Sequence, residues 1–199
     1  MRIIGDIHGD IENYMEIAGD CEKSIQVGDF GIGFLSTRES IDIVTFFNKH
    51  PQHRFIRGNH DNPHMCDGYA NFIQDGRAEV HDGVKYMFIG GARSTDQSHR
   101  KEGKDWWKEE ENSAKKFAML YRKYMEEKPD VMITHDFPSH YVEDAFGMFD
   151  TSLTRNCLGG MFHNHQPKLW IGGHWHKSAR KNLQNTQFIT LNELEHIDI

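Results

Sequence analysis

The stretch RIIGDIHG, residues 2–9, decides the fold, because a short and mainly apolar run ends abruptly at an aspartate and a histidine. Such a run, closed by glycine, is typical of a buried β-strand. Similar runs cover residues 24–27, 54–56, 85–89, 131–133 and 168–171. The chain is therefore expected to be built on a set of short strands.

Helical patterns separate these runs, at residues 10–19, 36–50 and 104–128. The second opens with Ser36 and Glu39 in the spacing of a capping box. The third carries apolar residues at helical spacing and is stopped by a proline. Strands that alternate with helices predict an α/β fold with parallel strands. Near the C-terminus, residues 187–191 are predicted to pair antiparallel with residues 178–181 around a turn at 182–185.

Composition narrows the class of protein. The 199 residues are 37% hydrophobic, which suits one globular domain spanning residues 1–199. A formal net charge of -7 argues against strong binding to duplex nucleic acid. Three widely spaced cysteines indicate free thiols, and no targeting or membrane-spanning segment is evident. A soluble, cytoplasmic protein without a membrane partner is therefore expected.

Polar side chains follow the strands where each one ends. They are Asp6 and His8, then Asp29, then Asn59, His60 and Asp61, then His135, and finally His174 and His176. Because the carboxyl ends of strands in an open α/β sheet meet at one crevice, these residues are expected to lie together. Carboxylate, imidazole and amide ligands without thiolate suit Mn²⁺, Fe or Zn²⁺. The two oxygens of Asp29 could bridge two ions.

Taken in order, the motifs GDIHG, GD, GNHD, THD and GHWH resemble those of the calcineurin-like metallophosphoesterase superfamily, in particular its small bacterial and phage members. The resemblance spans residues 6–176. It implies a four-layer α-β-β-α sandwich, with two mixed sheets flanked by helices and a dinuclear metal site at the carboxyl ends of the strands. Mn²⁺ is the first expectation for both ions, with Fe, Zn²⁺, Ni²⁺ or Co²⁺ as alternatives.

The resemblance also implies a role for each site residue. One ion would be held by Asp6, His8, Asp29 and His176, and the other by Asp29, Asn59, His135 and His174. A metal-bound hydroxide would attack phosphorus in line with the leaving group. His60 would act as the general acid or stabilise phosphoryl charge, and Asp61 would orient its imidazole.

One departure separates the chain from the protein serine/threonine phosphatases of the superfamily. They carry a GDxxDRG pattern after the bridging aspartate, whereas this chain has GDFGIG at residues 28–33. The arginine that grips phosphate there is missing, so a protein-phosphatase label is doubtful. Arg57 is expected to serve structure rather than contact phosphate directly.

Two loops have open roles. Residues 90–111 contain two candidates for binding the substrate, Arg93 and Arg100. Asn59, outside this loop, is a third candidate. Trp106 and Trp107 could stack on a base or anchor the core. Residues 137–151 could form a lid, an interaction surface or an ordinary connection.

The expected function is hydrolysis of phosphomonoesters or phosphodiesters. The substrate would be a small or flexible phosphoester, such as a nucleotide or an exposed phosphoprotein side chain. A catalytically silent binding scaffold with the same fold is the alternative. A structural protein with one tight metal is a third reading, but it leaves His60 and Asp61 without a role.

Overall fold

The computed structural model describes residues 1–104, 106–149 and 152–199. Two β-sheets form its centre. Their strands are β1 Arg2–Ile4, β2 Ser24–Gln26, β3 His53–Phe55, β4 Ala78–His81, β5 Val84–Ile89, β6 Val131–Thr134, β7 Leu169–Gly172, β8 Ala179–Leu183, β9 Thr186–Thr190 and β10 His196–Asp198. The first sheet has the order β10-β1-β2-β3, and the second has the order β4-β5-β6-β7-β9-β8. In the first sheet, β2 pairs in parallel with both β1 and β3. In the second sheet, β5, β6, β7 and β9 are parallel. The edge strands β10, β4 and β8 are antiparallel to their neighbours. Both sheets are therefore mixed, as expected.

The strands are short. The helices are α1 Ile11–Gly19, α2 Thr37–Lys49, α3 Pro63–Cys66, α4 Ala114–Glu127, α5 Ser139–Phe146 and α6 Leu153–Asn164. Among the described residues, no helix is both long and apolar enough to cross a membrane.

Alternation of side chains along the strands creates three apolar layers. Ile3 faces the space between the two sheets, where it joins a cluster with Ile25 and Ile133. The next residue, Ile4, points to the other face of the sheet, where it packs in a cluster with apolar residues of α1 and α2. On the far side, Trp170 and other residues of the second sheet pack against α4, α5 and α6. The predicted four-layer sandwich is confirmed.

Most predicted elements agree with the structure within one or two residues. The capping box of α2 is present, because Ser36 Oγ accepts from Glu39 N and the Glu39 carboxylate accepts from Ser36 N in return. The C-terminal hairpin is also confirmed, with a tighter turn than expected between Leu183 and Thr186. Among the described residues, five elements were missed, namely β4, β10, α3, α5 and α6.

The helix predicted at 104–128 is wrong at its start. It begins only at Ala114, with Ser113 as the N-cap, and Asp105 lies outside the described residues. Glu110 is buried and bonds to Ser94, while the indole N–H of Trp107 donates to the His60 carbonyl. Because both contacts reach the loop region beside the strand ends, this stretch follows an irregular path.

The segment 137–151, predicted as a lid, an interaction surface or an ordinary connection, is packed in its first part and exposed further on. Phe137, Tyr141 and Val142 are buried, so the first part, including α5, is an ordinary packed connection. Met148 and Phe149 are exposed. Residues 150–151, at the end of this prediction, lie outside the described residues.

Asp61 organises the loops that carry the site. Its buried carboxylate accepts four backbone N–H groups, from Phe30, Gly31, Ile32 and Gly58, at 2.7–3.1 Å. Burial raises the pKa of the Asp61 carboxyl, and the negative charge of Asp29 adds to that rise, while the N–H donors oppose it. These bonds join the segment after β2 to the segment after β3.

We predict that Asp61→Asn lowers the free energy of unfolding of the metal-free protein by about 2–6 kcal/mol. The amide NH₂ would face two N–H donors and leave both without an acceptor, at roughly 1–3 kcal/mol each. Chemical denaturation measures the change. Asp67→Asn, an exposed neighbour, is the control and should stay within about 0.5 kcal/mol of wild type. Equal stability of the two variants would show that the four bonds do not hold these loops.

Candidate metal centre

The strand ends bring the seven predicted metal ligands together. Asp6, His8, Asp29 and His176 form one group, and Asp29, His135 and His174 form a second. Within each group the ligand atoms lie within 4.8 Å of one another. Asn59 belongs with the second group, because its Oδ1 lies 3.0 Å from His135 Nε2. The structure thus brings together the residues of both sets that the resemblance implied.

Asp29 is the residue that both groups share. Its Oδ1 lies 3.4 Å from His135 Nε2, and its Oδ2 lies 3.9 Å from His8 Nε2. The backbone N–H of His60 also donates to Oδ1 at 2.8 Å. The two oxygens therefore face different groups, as a carboxylate that bridges two cations must do.

Several ligand atoms are buried without a hydrogen-bond partner among the described residues. They are Asp6 Oδ1, Asp29 Oδ2 and His174 Nε2. Buried polar atoms are otherwise almost always paired, since an unpaired one costs about 1–3 kcal/mol. The Nε2 atoms of His8 and His176 also approach to 2.9 Å. Unpaired oxygen and nitrogen atoms that converge in this way fit a pair of divalent cations.

The charges of the site also fit bound cations. Burial acts to lower the pKa of His135, but the Asp29 and Asp6 carboxylates outweigh it and raise that pKa to about 10. Burial acts to raise the pKa of Asp29, and the His135, His60 and His8 rings outweigh it and lower the pKa. The carboxylates thus attract positive charge, which protons supply when metal is absent and which metal ions would supply when bound.

Backbone geometry holds the ligands in place. His135 Nδ1 donates to the Val27 carbonyl at 2.9 Å, which turns Nε2 toward Asn59 and Asp29. The N–H of His174 donates to Asp6 Oδ2 at 2.9 Å. Gly173 is required beside these residues, because a Cβ there would overlap the Asp6 carboxylate.

Four ligands have left-handed backbone conformations, with positive φ at His8, Asp29, His174 and His176. Such conformations are uncommon for residues other than glycine and cost free energy. Their concentration here indicates that the fold accepts strain in order to aim these side chains.

Asn59 is oriented by two residues that sequence reasoning missed. Its Nδ2 donates to Ser94 Oγ at 3.1 Å, and Ser94 Oγ donates to Glu110 Oε2 at 2.5 Å. All three residues are buried, and burial raises the pKa of Glu110. These hydrogen bonds turn Asn59 Oδ1 toward the second group of ligands. No strand-end motif marks Ser94 or Glu110, so the sequence held no direct signal for them.

His60 lies beside both groups but faces an arginine. Its Nε2 is 3.9 Å from Asp29 Oδ2, and its Nδ1 and Nε2 lie 2.8 and 3.1 Å from Arg100 Nη1 and Nη2. Arg100 is held in turn by Asp96, which accepts from Nε at 2.6 Å. Burial lowers the pKa of the His60 imidazole, and the nearby Arg100 charge lowers it further, against the opposing effect of Asp29.

The structure gives Asp61 different partners from those expected. Among the described contacts, its carboxylate bonds to backbone N–H groups and not to the His60 ring. Arg57 agrees with the structural role predicted for it, since it is buried and pairs with Asp75 at 3.1 Å.

A cavity of about 360 Å³ opens over the ligand groups. Its walls include His60, Arg100, Lys177, Met148 and Trp175. Arg93, the other predicted substrate-binding arginine, is exposed and is not among the described residues that line this cavity. A larger cavity of about 720 Å³ lies beside Arg57 and Lys116, and none of the predicted metal ligands lines it.

Trp175 forms a fixed wall of the smaller cavity. Its ring stacks on Phe146 at 5.1 Å, and the Arg155 guanidinium lies 5.4 Å from its centre. The indole N–H donates to Asp136 Oδ1 at 3.1 Å. Trp107 and Trp106 are half-buried and do not line this cavity in the part of the chain that the structure describes.

Comparison with solved structures supports the fold. The protein TT1561 of Thermus thermophilus is 12% identical, with a TM-score of 0.62 over 97% of this chain and 89% of that one. A dimetal phosphatase from Danio rerio is 12% identical, with a TM-score of 0.59 over 98% and 88%. A putative 5'-nucleotidase from Staphylococcus aureus is 16% identical, with a TM-score of 0.60 over 96% of this chain and 48% of that one.

No curated protein matches the chain with significant similarity. The family model described as calcineurin-like phosphoesterase matches residues 2–178, which contain all seven ligands and His60. This match covers most of the chain, and the sheet topology and ligand groups are consistent with it. The chain belongs to the calcineurin-like phosphoesterase family.

Proposed function

We propose that the protein hydrolyses phosphoesters, either monoesters or diesters, with two divalent metal ions. The observation that carries the proposal is the pair of ligand groups that share Asp29 beside His60. Asp6, His8, Asp29 and His176 would hold one ion, and Asp29, Asn59, His135 and His174 the other. Two bound ions would polarise water and offset the negative charge of the phosphoryl oxygens. Mn²⁺ suits this oxygen-rich and imidazole-rich set of donors.

His60 would handle the proton of the leaving group. Its Nε2 lies 3.9 Å from Asp29 Oδ2, so a phosphoryl group bound beside Asp29 would also contact this nitrogen. Protonation of the leaving oxygen by a placed imidazole commonly accelerates such reactions by about 10²–10⁴-fold. A hydrogen bond from the same nitrogen to a phosphoryl oxygen is the alternative use of this position.

Arg100 would bind the phosphoryl oxygens. It now contacts His60 through Nη1 and Nη2, while Asp96 holds Nε. A phosphoryl group in the cavity offers the guanidinium a negatively charged acceptor in place of a neutral ring. The exchange of partners would release His60, whose ring could then take up a proton from solvent and pass it to the leaving oxygen. Asp96 would keep Arg100 close throughout.

The dimensions and charges of the cavity favour a small or flexible substrate. A volume of about 360 Å³ is near the lower end of the range for small-ligand sites, roughly 300–1,000 Å³. Arg100 and Lys177 supply positive charge, while Met148 and Trp175 supply apolar wall. A nucleotide or an exposed phosphoprotein side chain would satisfy both features. The net charge of -7 offers no support for strong duplex binding, and a cytoplasmic location is part of this proposal.

We predict that Asp29→Asn weakens Mn²⁺ binding at both sites and lowers the rate of hydrolysis by on the order of 100-fold or more. Mutation of residues that only orient metal ligands already lowers metal affinity or activity by about 10–100-fold. Metal content and turnover of p-nitrophenyl phosphate and bis-p-nitrophenyl phosphate measure the two effects. Asp82→Asn is a matched control, because Asp82 also has a positive φ but is exposed and distant from the site. Full activity of Asp29→Asn would contradict the shared carboxylate.

We predict that His60→Ala keeps two Mn²⁺ ions but slows hydrolysis of phenyl phosphate by roughly 10²-fold or more. The loss should be smaller for p-nitrophenyl phosphate, whose leaving group needs less protonation. The ratio of kcat for the two substrates is the measurement, with exposed His64→Ala as the control. Equal losses on both substrates would argue for charge stabilisation instead of proton donation.

We predict that Arg100→Ala raises KM for p-nitrophenyl phosphate by roughly 10–100-fold, the equivalent of one lost charge-assisted bond of about 1.5–3 kcal/mol. Metal content should not change. Arg93→Ala, tested beside it, shows whether the second predicted arginine also contributes. An unchanged KM for Arg100→Ala would remove this residue from the substrate site.

Metal-loaded wild-type protein that hydrolyses neither p-nitrophenyl phosphate nor bis-p-nitrophenyl phosphate would favour the silent scaffold.

A further inference from the structure

A turn near the C-terminus passes over the metal centre. Residues 192–195 connect β9 of the second sheet to β10 of the first. This turn lies beyond residues 2–178, the part that the family model matches. No motif in the sequence drew attention to it.

Backbone hydrogen bonds fix the turn against the strand that carries Asp6. The N–H of Leu194 donates to the Asp6 carbonyl at 2.9 Å, and the N–H of Gly5 donates to the Glu195 carbonyl at 2.8 Å. Gly5 makes this approach feasible, because a Cβ there would overlap the carbonyl of Asn192. Leu194 has a φ of 56°, so the turn is also tightly bent. The position of its side chains relative to Asp6 is therefore set by the fold.

Glu193 lies at the tip of this turn, next to two metal ligands. Its Oε1 is 3.3 Å from His176 Nδ1 and 3.6 Å from His8 Nε2. The other ring nitrogen of His176, Nε2, lies 3.5 Å from Asp6 Oδ2 and 2.9 Å from His8 Nε2. Nε2 thus faces the other ligands, and Nδ1 is the outer nitrogen that faces Glu193.

His176 needs such support more than the second group's His135 does. His135 is fully buried, and the Val27 carbonyl holds its Nδ1 from behind. The His176 side chain is 44% exposed, so packing alone does not fix its ring. A carboxylate behind a histidine ligand holds the proton on the outer nitrogen and directs the inner lone pair at the metal.

We propose that Glu193 is a positioning residue for the first metal site, where it accepts a hydrogen bond from His176 Nδ1 and keeps Nε2 aimed at the ion. The inference rests on the proposed two-metal function. Loss of a carboxylate in this role typically weakens metal binding by about 10–100-fold. The second site, formed by Asp29, Asn59, His135 and His174, has no contact with Glu193 among the described residues and should keep its affinity.

Calorimetric titration of Mn²⁺ into the metal-stripped full chain tests the proposal. Glu193→Gln should weaken one of the two sites by on the order of 10–100-fold and leave the other unchanged. The Tm of the metal-free variant should not fall, because the Glu193 side chain is half exposed. Glu126→Gln on the outer face of α4 removes the same charge far from the site and should bind Mn²⁺ as wild type does.

A second variant pair shows whether the effect passes through His176. In a His176→Ala background, Glu193→Gln should cause no further loss at the first site, because the ring that Glu193 positions is gone. A further loss of about 10-fold there would mean that Glu193 acts through His8 or by general charge, and equal weakening of both sites in the single variant would mean general charge. Either result would overturn the proposal.

Failure of this inference is separable from failure of the proposed function. Two tight Mn²⁺ sites in wild type with unchanged binding in Glu193→Gln would overturn the role of Glu193 alone. Fewer than two sites in wild type would overturn the two-metal function itself, and the inference with it.

Discussion

The Asp29 carboxylate sits where both groups of ligands meet, and the rest of the site is arranged around it. Its oxygens are buried in a region where His135 and His8 supply the facing nitrogens. Burial of a carboxylate is costly unless positive charge compensates it. The fold reaches this arrangement with four ligands in left-handed backbone conformations. Divalent cations would offset both costs, since they bind the unpaired oxygen and nitrogen atoms directly.

The two-sheet sandwich converts distant sequence positions into neighbours. Asp6 and Asp29 follow adjacent parallel strands of the first sheet, and His135 and His174 follow adjacent parallel strands of the second. The sheets pack through the cluster around Ile3, so their strand ends open on one cleft. Asp61 joins two of these loops through backbone N–H groups, which makes the site part of the fold's own stability.

The strands and the candidate ligands could be predicted because both leave local signals, namely an apolar run and a polar residue at its end. The helix start at Ala114 was misjudged because Trp107 and Glu110 turn toward His60 and Ser94, which are distant in sequence. The positions of Ser94, Glu110 and Glu193 depend on tertiary contacts and leave no motif. The fold and the meeting of the candidate ligands were thus predictable, whereas the residues that orient them were not.

Two ions on either side of Asp29 would share its carboxylate. Electron paramagnetic resonance of the protein loaded with two equivalents of Mn²⁺ tests this most directly. Two ions held by one bridging carboxylate at about 3.5–4 Å should give a spin-coupled spectrum. A spectrum of isolated Mn²⁺ at full loading would contradict the account, because it would place the ions in separate sites.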